Sequence, residues 1–320
     1  MGTRLASWLR LAMAVIAVSP VVRAEPAPEK RVAITFDDLP LATEAKVRPA
    51  DVRTARKVHQ VILSALERRG APATGFVVEA SVRRLGPAGV ELLAAWNRGA
   101  YELGNHSFSH ADSNQLDLEG IRREIERGEA TIGPLARSAG RRVRFFRFPL
   151  NHLGDTDEKR RAIEELLASR GYTLAAATID TSDYVFERAY GRALARDDKA
   201  MQRRILDAYV EYSREEIAYY GKLNREVLGR EAPAILLLHL NRVNAASLER
   251  VLDIFVEGGY RFISLSEAQS DPAYAQPPKF STRFGPMWGY RWARERGVKV
   301  DGSREQEPPE WVARYGEIAK

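Results

Sequence analysis

The sequence contains no cysteine. That absence excludes disulfide staples and thiolate metal sites together, so any metal held by this chain must rest on imidazole and carboxylate. Histidine is itself scarce, with five in 320 residues, and each can be weighed singly. A clustered Lys/Arg stripe of the kind that grips nucleic acid is also missing. The formal charge of +6 owes much to residues 1–24, which carry Arg4, Arg10 and Arg23 and no acid; without them it falls by three to +3. There is no internal repeat and no low-complexity tract.

Residues 1–24 read as a cleaved secretory signal: early arginines, a short apolar stretch, then Val22-Arg23-Ala24 before the cleavage point. The stretch is short for a membrane span and is interrupted by Pro20 and Arg23, and no cysteine follows to carry a lipid. Export to a periplasm or beyond is expected, without stable membrane insertion. A hydrophobic share of 45% with 29% charged residues suits an ordinary globular core.

Short apolar runs recur between helical stretches at 32–36, 74–78, 100–103, 143–147, 173–179, 235–239 and 261–265. Such alternation predicts parallel βα units closing, or nearly closing, a distorted (β/α) barrel of about seven strands. The stretch 51–70 shows the helical pattern, with Asp51 as N-cap and Gly70 as its stop. One gap is too long for a single connecting helix: residues 185–232 are expected to form an inserted helical pair, broken near 191–198 and again near Gly221. The barrel unit is placed at 25–270. The proline-rich segment 271–320 is expected to pack on the barrel without adding strands.

In parallel α/β architectures functional groups gather at the carboxyl ends of the strands. Those ends carry Asp37 and Asp38, His106 and His110, Arg147, Asp180 and Asp183, and His239. His106 and His110, four apart, are read as sharing the face of a helical turn and so offering two imidazoles to one cation. With Asp38 they make a His-His-carboxylate set that leaves coordination positions open, as catalytic rather than structural sites do. The neighbouring Asp37 is then placed to take a proton from water.

In this order, Thr35-Phe36-Asp37-Asp38, His106–His110, Arg147-Phe148-Pro149, Asp180–Tyr184 and Leu236–His239 resemble the five motifs of the polysaccharide deacetylase family, the NodB-homology domain of carbohydrate esterase family four. The resemblance spans about residues 31–268. It implies one divalent metal per chain, zinc being the expected ion, and hydrolysis of an N-acetyl group on an amino sugar of an extracytoplasmic glycan such as peptidoglycan or a chitin-like polysaccharide. Residue by residue it implies Asp37 as general base, Asp38, His106 and His110 as ligands, Arg147 as the group that orients the base, His239 as general acid and Asp183 as its tether. The backbone N–H of Leu150 would stabilise the oxyanion. Leu150, Asn151 and His152 depart from the glycine the family commonly has there, and Tyr184 stands where many members carry tryptophan. These departures bear on the substrate, with Leu150, His152 and Tyr184 as its candidate contacts.

Blander readings stand beside these. Asp37 and Asp38 alone would suit a turn or helix cap, and Asp180 competes with Asp183 as the tether. His59 lies inside a helical pattern and is read as structural. Tyr209, Tyr212, Tyr219 and Tyr220 are read as packing the insertion, while Trp288 and Trp292 suit either glycan stacking or anchoring of the tail. Esterase action on O-acetylated xylan and a non-catalytic glycan-binding barrel are the alternatives to N-deacetylation.

Overall fold

The computed structural model describes residues 29–42 and 52–317. The leader at 1–24 and the expected cap Asp51 lie outside the described residues. Eight strand segments, all parallel, make one curled sheet: β1 (Lys30–Leu39), β2 (Ala73–Val77), β3 (Tyr101–Asn105), β4 (Phe145–Phe146), β5 (Thr173–Leu174), β6 (Ile179–Asp180), β7 (Ala234–His239) and β8 (Tyr260–Ile263). The order is β5-β4-β3-β2-β1-β7-β6, with β8 also on β1.

β5 and β6 are the two ends of the single run expected at 173–179. The chain leaves β4 after Ala175 N–H donates to the Phe146 carbonyl at 2.8 Å, and joins β7 where Thr178 N–H donates to the Ile235 carbonyl at 3.0 Å. One extended segment thereby carries the wall from one edge of the sheet to the other, and seven strands curl into a distorted half-barrel. Val32 and Ala33 pair with both β7 and β8, whereas Ile34 to Phe36 pair with both β7 and β2. β8 and β2 therefore share one edge of β1, end to end.

β1 is central because both its faces are covered. Val32, Ala33, Ile34 and Phe36 are at most 1% exposed, and a parallel strand in that position reads as an unbroken apolar run. Around it, helices show the 3.6-residue period; in Val52–Arg68 the buried positions are Ala55, Val58, His59, Ile62, Ala65 and Leu66. No helix of the described residues is long and apolar enough to cross a membrane.

Two helices, Asp183–Ala195 and Lys199–Leu228, fill the long gap, and the break between them falls at 196–198. The expected second break at Gly221 is absent. The helix runs through it and stops at Gly229, whose φ of 71° suits a glycine stop. A mid-helix glycine costs about 1 kcal/mol, and the buried Tyr220 and Leu223 beside it outweigh that.

After Asp271 the chain lies on the barrel. Trp288 N–H donates to the Ala177 carbonyl at 2.9 Å, and Trp288 and Trp292, each 4% exposed, pack on Tyr274. This burial rules out the glycan-stacking reading of the two tryptophans.

Candidate active site

Asp37 and Asp38 are adjacent, so in a regular strand their side chains would leave opposite faces. The backbone prevents that. Asp38 has φ of 64°, and the β1–β2 register slips between Phe36 and Leu39. A bulge of this kind re-aims a side chain, and both carboxylates come within reach of the same imidazole: His106 Nε2 lies 3.8 Å from Asp37 Oδ2 and 3.7 Å from Asp38 Oδ1.

His106 and His110 do not share a helical turn, as the spacing suggested. Residues 106–110 form a loop, with Ser107 at φ 72° and His110 at φ 61°. Buried Asn105 shapes it: its Oδ1 accepts from Ser107 N–H at 2.9 Å, while its Nδ2 donates to the Ile125 carbonyl and the Tyr172 hydroxyl. Gly128 packs so closely on Asn105 and Ser107 that a side chain there would collide with both. The loop turns both rings inward, with centroids 5.1 Å apart and His110 Nε2 at 3.3 Å from Asp38 Oδ1.

His106 Nδ1 lies 2.8 Å from the Arg147 carbonyl, which can only accept, so Nδ1 carries the proton and the Nε2 lone pair faces the carboxylates. Burial pushes the pKa of His106 down against the pull of Asp37. For Asp38, burial works to raise the pKa, but His110, His239 and His106 together hold it below the usual value. Asp38 Oδ1 is buried and accepts no hydrogen bond. Donor atoms of Asp38, His106 and His110 all lie within 4.8 Å of one another; among the described residues no other group of three does so.

Arg147 sits beneath the carboxylates. Its Nη1 donates to Asp37 Oδ1 and to Thr35 Oγ1, each at 2.8 Å, its Nη2 donates to the Ala176 carbonyl at 2.7 Å, and the guanidinium lies 4.3 Å from the centre of the Phe76 ring. Side chains of Arg147 and Asp37 are 1% and 4% exposed.

Across the mouth, the β1–β7 ladder sets Asp37 directly beside His239. His239 Nδ1 lies 2.6 Å from Asp183 Oδ1, and the His239 backbone N–H donates to Asp183 Oδ2 at 2.7 Å. Burial works to lower the pKa of His239, but the charge and hydrogen bond of Asp183, with Asp38 and Asp37 behind, carry it up to about 10. The tether is thus Asp183, at the start of helix Asp183–Ala195. Asp180 turns instead to accept from Ser182 N–H at 2.9 Å, and burial first, then the charge of Asp183, raises its pKa to about 6.

Direct contacts therefore gather Asp37, Asp38, His106, His110 and Arg147 on one side and Asp183 and His239 on the other. Tyr184 is half-exposed with its ring 6.3 Å from that of His239. Leu150 is 56% exposed on a turn at φ 59°. His152 pairs through Nδ1 with Asp112 Oδ1 at 2.7 Å. Sequence reasoning missed Thr35, Asn105, Tyr209 and Asn244. The last two are polar atoms hidden inside amphipathic helices, and the signal that could have found Asn244 was a polar residue on an apolar helix face soon after His239.

The family model described as polysaccharide deacetylase matches residues 24–175. Residues 24–175 belong to the polysaccharide deacetylase family. The match is shorter than the expected span, ending before Asp180–Tyr184 and Leu236–His239, so those two motifs rest on the geometry above. The structure of the chain is similar to that of BA3943 from Bacillus anthracis, a CE4 family pseudoenzyme, with a TM-score of 0.50 at 16% identity over 76% of this chain and 66% of that one. A BA3943 mutant with restored enzymatic activity aligns at 0.50 and 18%, covering 76% and 68%. The peptidoglycan deacetylase PdaC from Bacillus subtilis aligns at 0.45 and 20%, covering 76% and 91%. Likeness at these identities concerns the fold, which hosts active and inactive members alike. Comparison with curated protein sequences gave no match.

Proposed function

We propose that this deacetylase-family chain is a metal-dependent hydrolase that removes N-acetyl groups from an extracytoplasmic amino-sugar glycan such as peptidoglycan or a chitin-like polymer. The observation that carries this reading is the convergence of Asp38, His106 and His110 within 4.8 Å, with a second carboxylate, Asp37, beside them. The triad suits a divalent cation in three respects: its donors are two imidazoles and a carboxylate, His106 is fixed in the tautomer that frees Nε2, and Asp38 Oδ1 is buried without a partner. Zinc fits such a set. When bound there, the ion would supply Lewis-acid activation of water and of the acetyl carbonyl.

The chain's own groups account for the proton transfers. Asp37 is held through Oδ1 by Arg147, which leaves Oδ2 to accept the proton of the attacking water. Anchored by Thr35, Ala176 and the Phe76 ring, Arg147 keeps that carboxylate oriented. His239, charged below about pH 10, keeps Nδ1–H on Asp183 and offers Nε2–H to the departing nitrogen. Leu150, through its backbone N–H, is assigned to the oxyanion, and His152 and Tyr184 to the sugar around the mouth.

An amine leaves poorly without a proton, whereas an alkoxide from an acetyl ester needs less help. Loss of His239 would therefore cost the amide more than O-acetyl xylan, and assay on both substrates tells them apart. Acetate release from N-acetylglucosamine oligomers and from acetylated xylan, each with and without chelator, tests the reading. Chelator-sensitive release from the oligomers is expected. Preference for xylan would make the chain an O-acetyl esterase, and no release from either would leave a glycan-binding barrel. Export rests on residues 1–24, and a secreted product beginning at Glu25 is the corresponding expectation.

A further inference from the structure

The inserted helix Lys199–Leu228 reaches the hydrogen bonds of the Asp183–His239 pair through Tyr209. Tyr209 is fully buried and its hydroxyl donates to Asn244 Oδ1 at 2.7 Å. Thr181 Oγ1 lies 3.0 Å from that hydroxyl; since the tyrosine proton is already committed, Thr181 is the donor in this bond. Asn244, also fully buried, sits on helix Arg242–Glu257. Its amide Nδ2 donates to Asp183 Oδ2 and, at 2.8 Å, to the His239 carbonyl.

Every acceptor in this chain of bonds fixes its neighbour's orientation. Asp183 and the His239 carbonyl can only accept, so the Asn244 amide must face them with nitrogen, and its oxygen must face the tyrosine. Capping cannot explain Asn244, because the cap of its helix is Asn241, whose side chain accepts from Asn244 N–H. The side-chain amide of Asn244 is thus spent wholly on the Asp183–His239 pair and on Tyr209.

We propose that Asn244 and Tyr209 are positioning residues for proton donation to the leaving group, and that the inserted helix acts on the reaction by holding the Asp183 carboxylate in the plane that aims His239. This rests on the reading of His239 as general acid. Asp183 Oδ1 takes the His239 ring and Oδ2 takes the His239 backbone. The Asn244 bond is the one that joins this carboxylate to a second helix, and Tyr209 ties that helix to the insertion. Hydrogen bonds behind a reacting group commonly set its orientation in this way.

The test uses leaving-group dependence in the full, metal-loaded protein. An N-acetylglucosamine oligomer needs a proton on its nitrogen, whereas 4-nitrophenyl acetate expels a stable phenolate without one. Asn244→Ala should lower kcat on the oligomer by about tenfold with KM nearly unchanged, and alter aryl acetate turnover by less than about twofold. Tyr209→Phe, which loses a single oxygen, should move the same ratio in the same direction by about threefold. The downfield proton resonance of His239 Nδ1–H, assigned by its loss in His239→Gln, should shift in both variants. Equal losses on the two substrates, or an unchanged ratio together with an unmoved resonance, would overturn the proposal. If Asn244→Ala does not fold, Tyr209→Phe and the resonance decide it alone. Wild-type protein inactive on both substrates would instead remove the functional reading itself.

Discussion

The two sides of the mouth are built on opposite principles. On the β1–β3 side, Asp38 Oδ1 lies 3.7 Å from His106 Nε2 and 3.3 Å from His110 Nε2, and it stays without a hydrogen bond although it is buried. On the β6–β7 side, Asp183 is saturated by the ring and backbone of His239 and by Asn244. Buried polar atoms are normally satisfied. On the function proposed above, an unsatisfied carboxylate oxygen beside two imidazoles, facing a saturated Asp183–His239 pair, separates two tasks: one side would receive a cation and the other would hold a proton. Asp37 lies between them, beside His239 in the ladder and 3.8 Å from His106.

The sharpest way to break this contrast is to remove the group between the two sides. Asp37→Asn should lower acetate release by about a thousandfold while leaving metal content intact; a variant of near-normal activity would contradict its assignment as base. Next in size, His239→Gln should cost about a hundredfold on an N-acetyl substrate and far less on an aryl acetate. Parallel losses would show that His239 does more than protonate. A smaller effect concerns stability. A cation bound only by the folded triad stabilises by mass action, about 3 kcal/mol at a hundredfold excess over Kd. Adding zinc to metal-free protein should therefore raise Tm in the wild type and in His239→Gln, and leave Asp38→Ala unmoved.

Much of this was legible in the sequence, for reasons that can be named. Parallel strands covered on both faces must be apolar along their length, so β1 and β7 stood out, and the topology makes their ends converge. Other features were hidden because tertiary contacts decide them. The spacing of His106 and His110 suits a helix, but Asn105 and the approach of Gly128 impose a loop that reaches the same convergence by another route. Asp180 and Asp183 could not be told apart by spacing; the helix starting at Asp183 separates them by turning one to His239 and the other to Ser182. Gly221 looked like a break because glycine is a poor helix former, and the burial of Tyr220 and Leu223 that carries the helix through it is a tertiary effect. The sequence alone also gave no hint that Tyr209 touches the site.

His59 is a useful third term in the contrast, since it is a histidine with no lone pair to spare. Its Nε2–H donates to the Pro40 carbonyl at 2.7 Å and its Nδ1 accepts from Trp96 Nε1 at 2.9 Å. Burial lowers its pKa to about 4, against the backbone bond to Pro40. Because the folded state resists protonation that the unfolded chain accepts near pH 6.5, this contribution is present above that pH and is lost as pH falls towards about 4, amounting to about 3 kcal/mol. In melts of His59→Gln against wild type, the stability gap at pH 7 should narrow on acidification. A gap constant with pH would show that His59 is not held neutral.

Metal stoichiometry measured across both sides of the mouth tests the central claim most directly. Elemental analysis and zinc titration of wild type, Asp38→Ala, His106→Ala, His110→Ala, Asp37→Asn and His239→Gln should give one ion per chain in the wild type and in the last two. The three triad variants should bind the ion weakly or not at all. Full zinc loading in all three triad variants, or none in the wild type, would contradict the account.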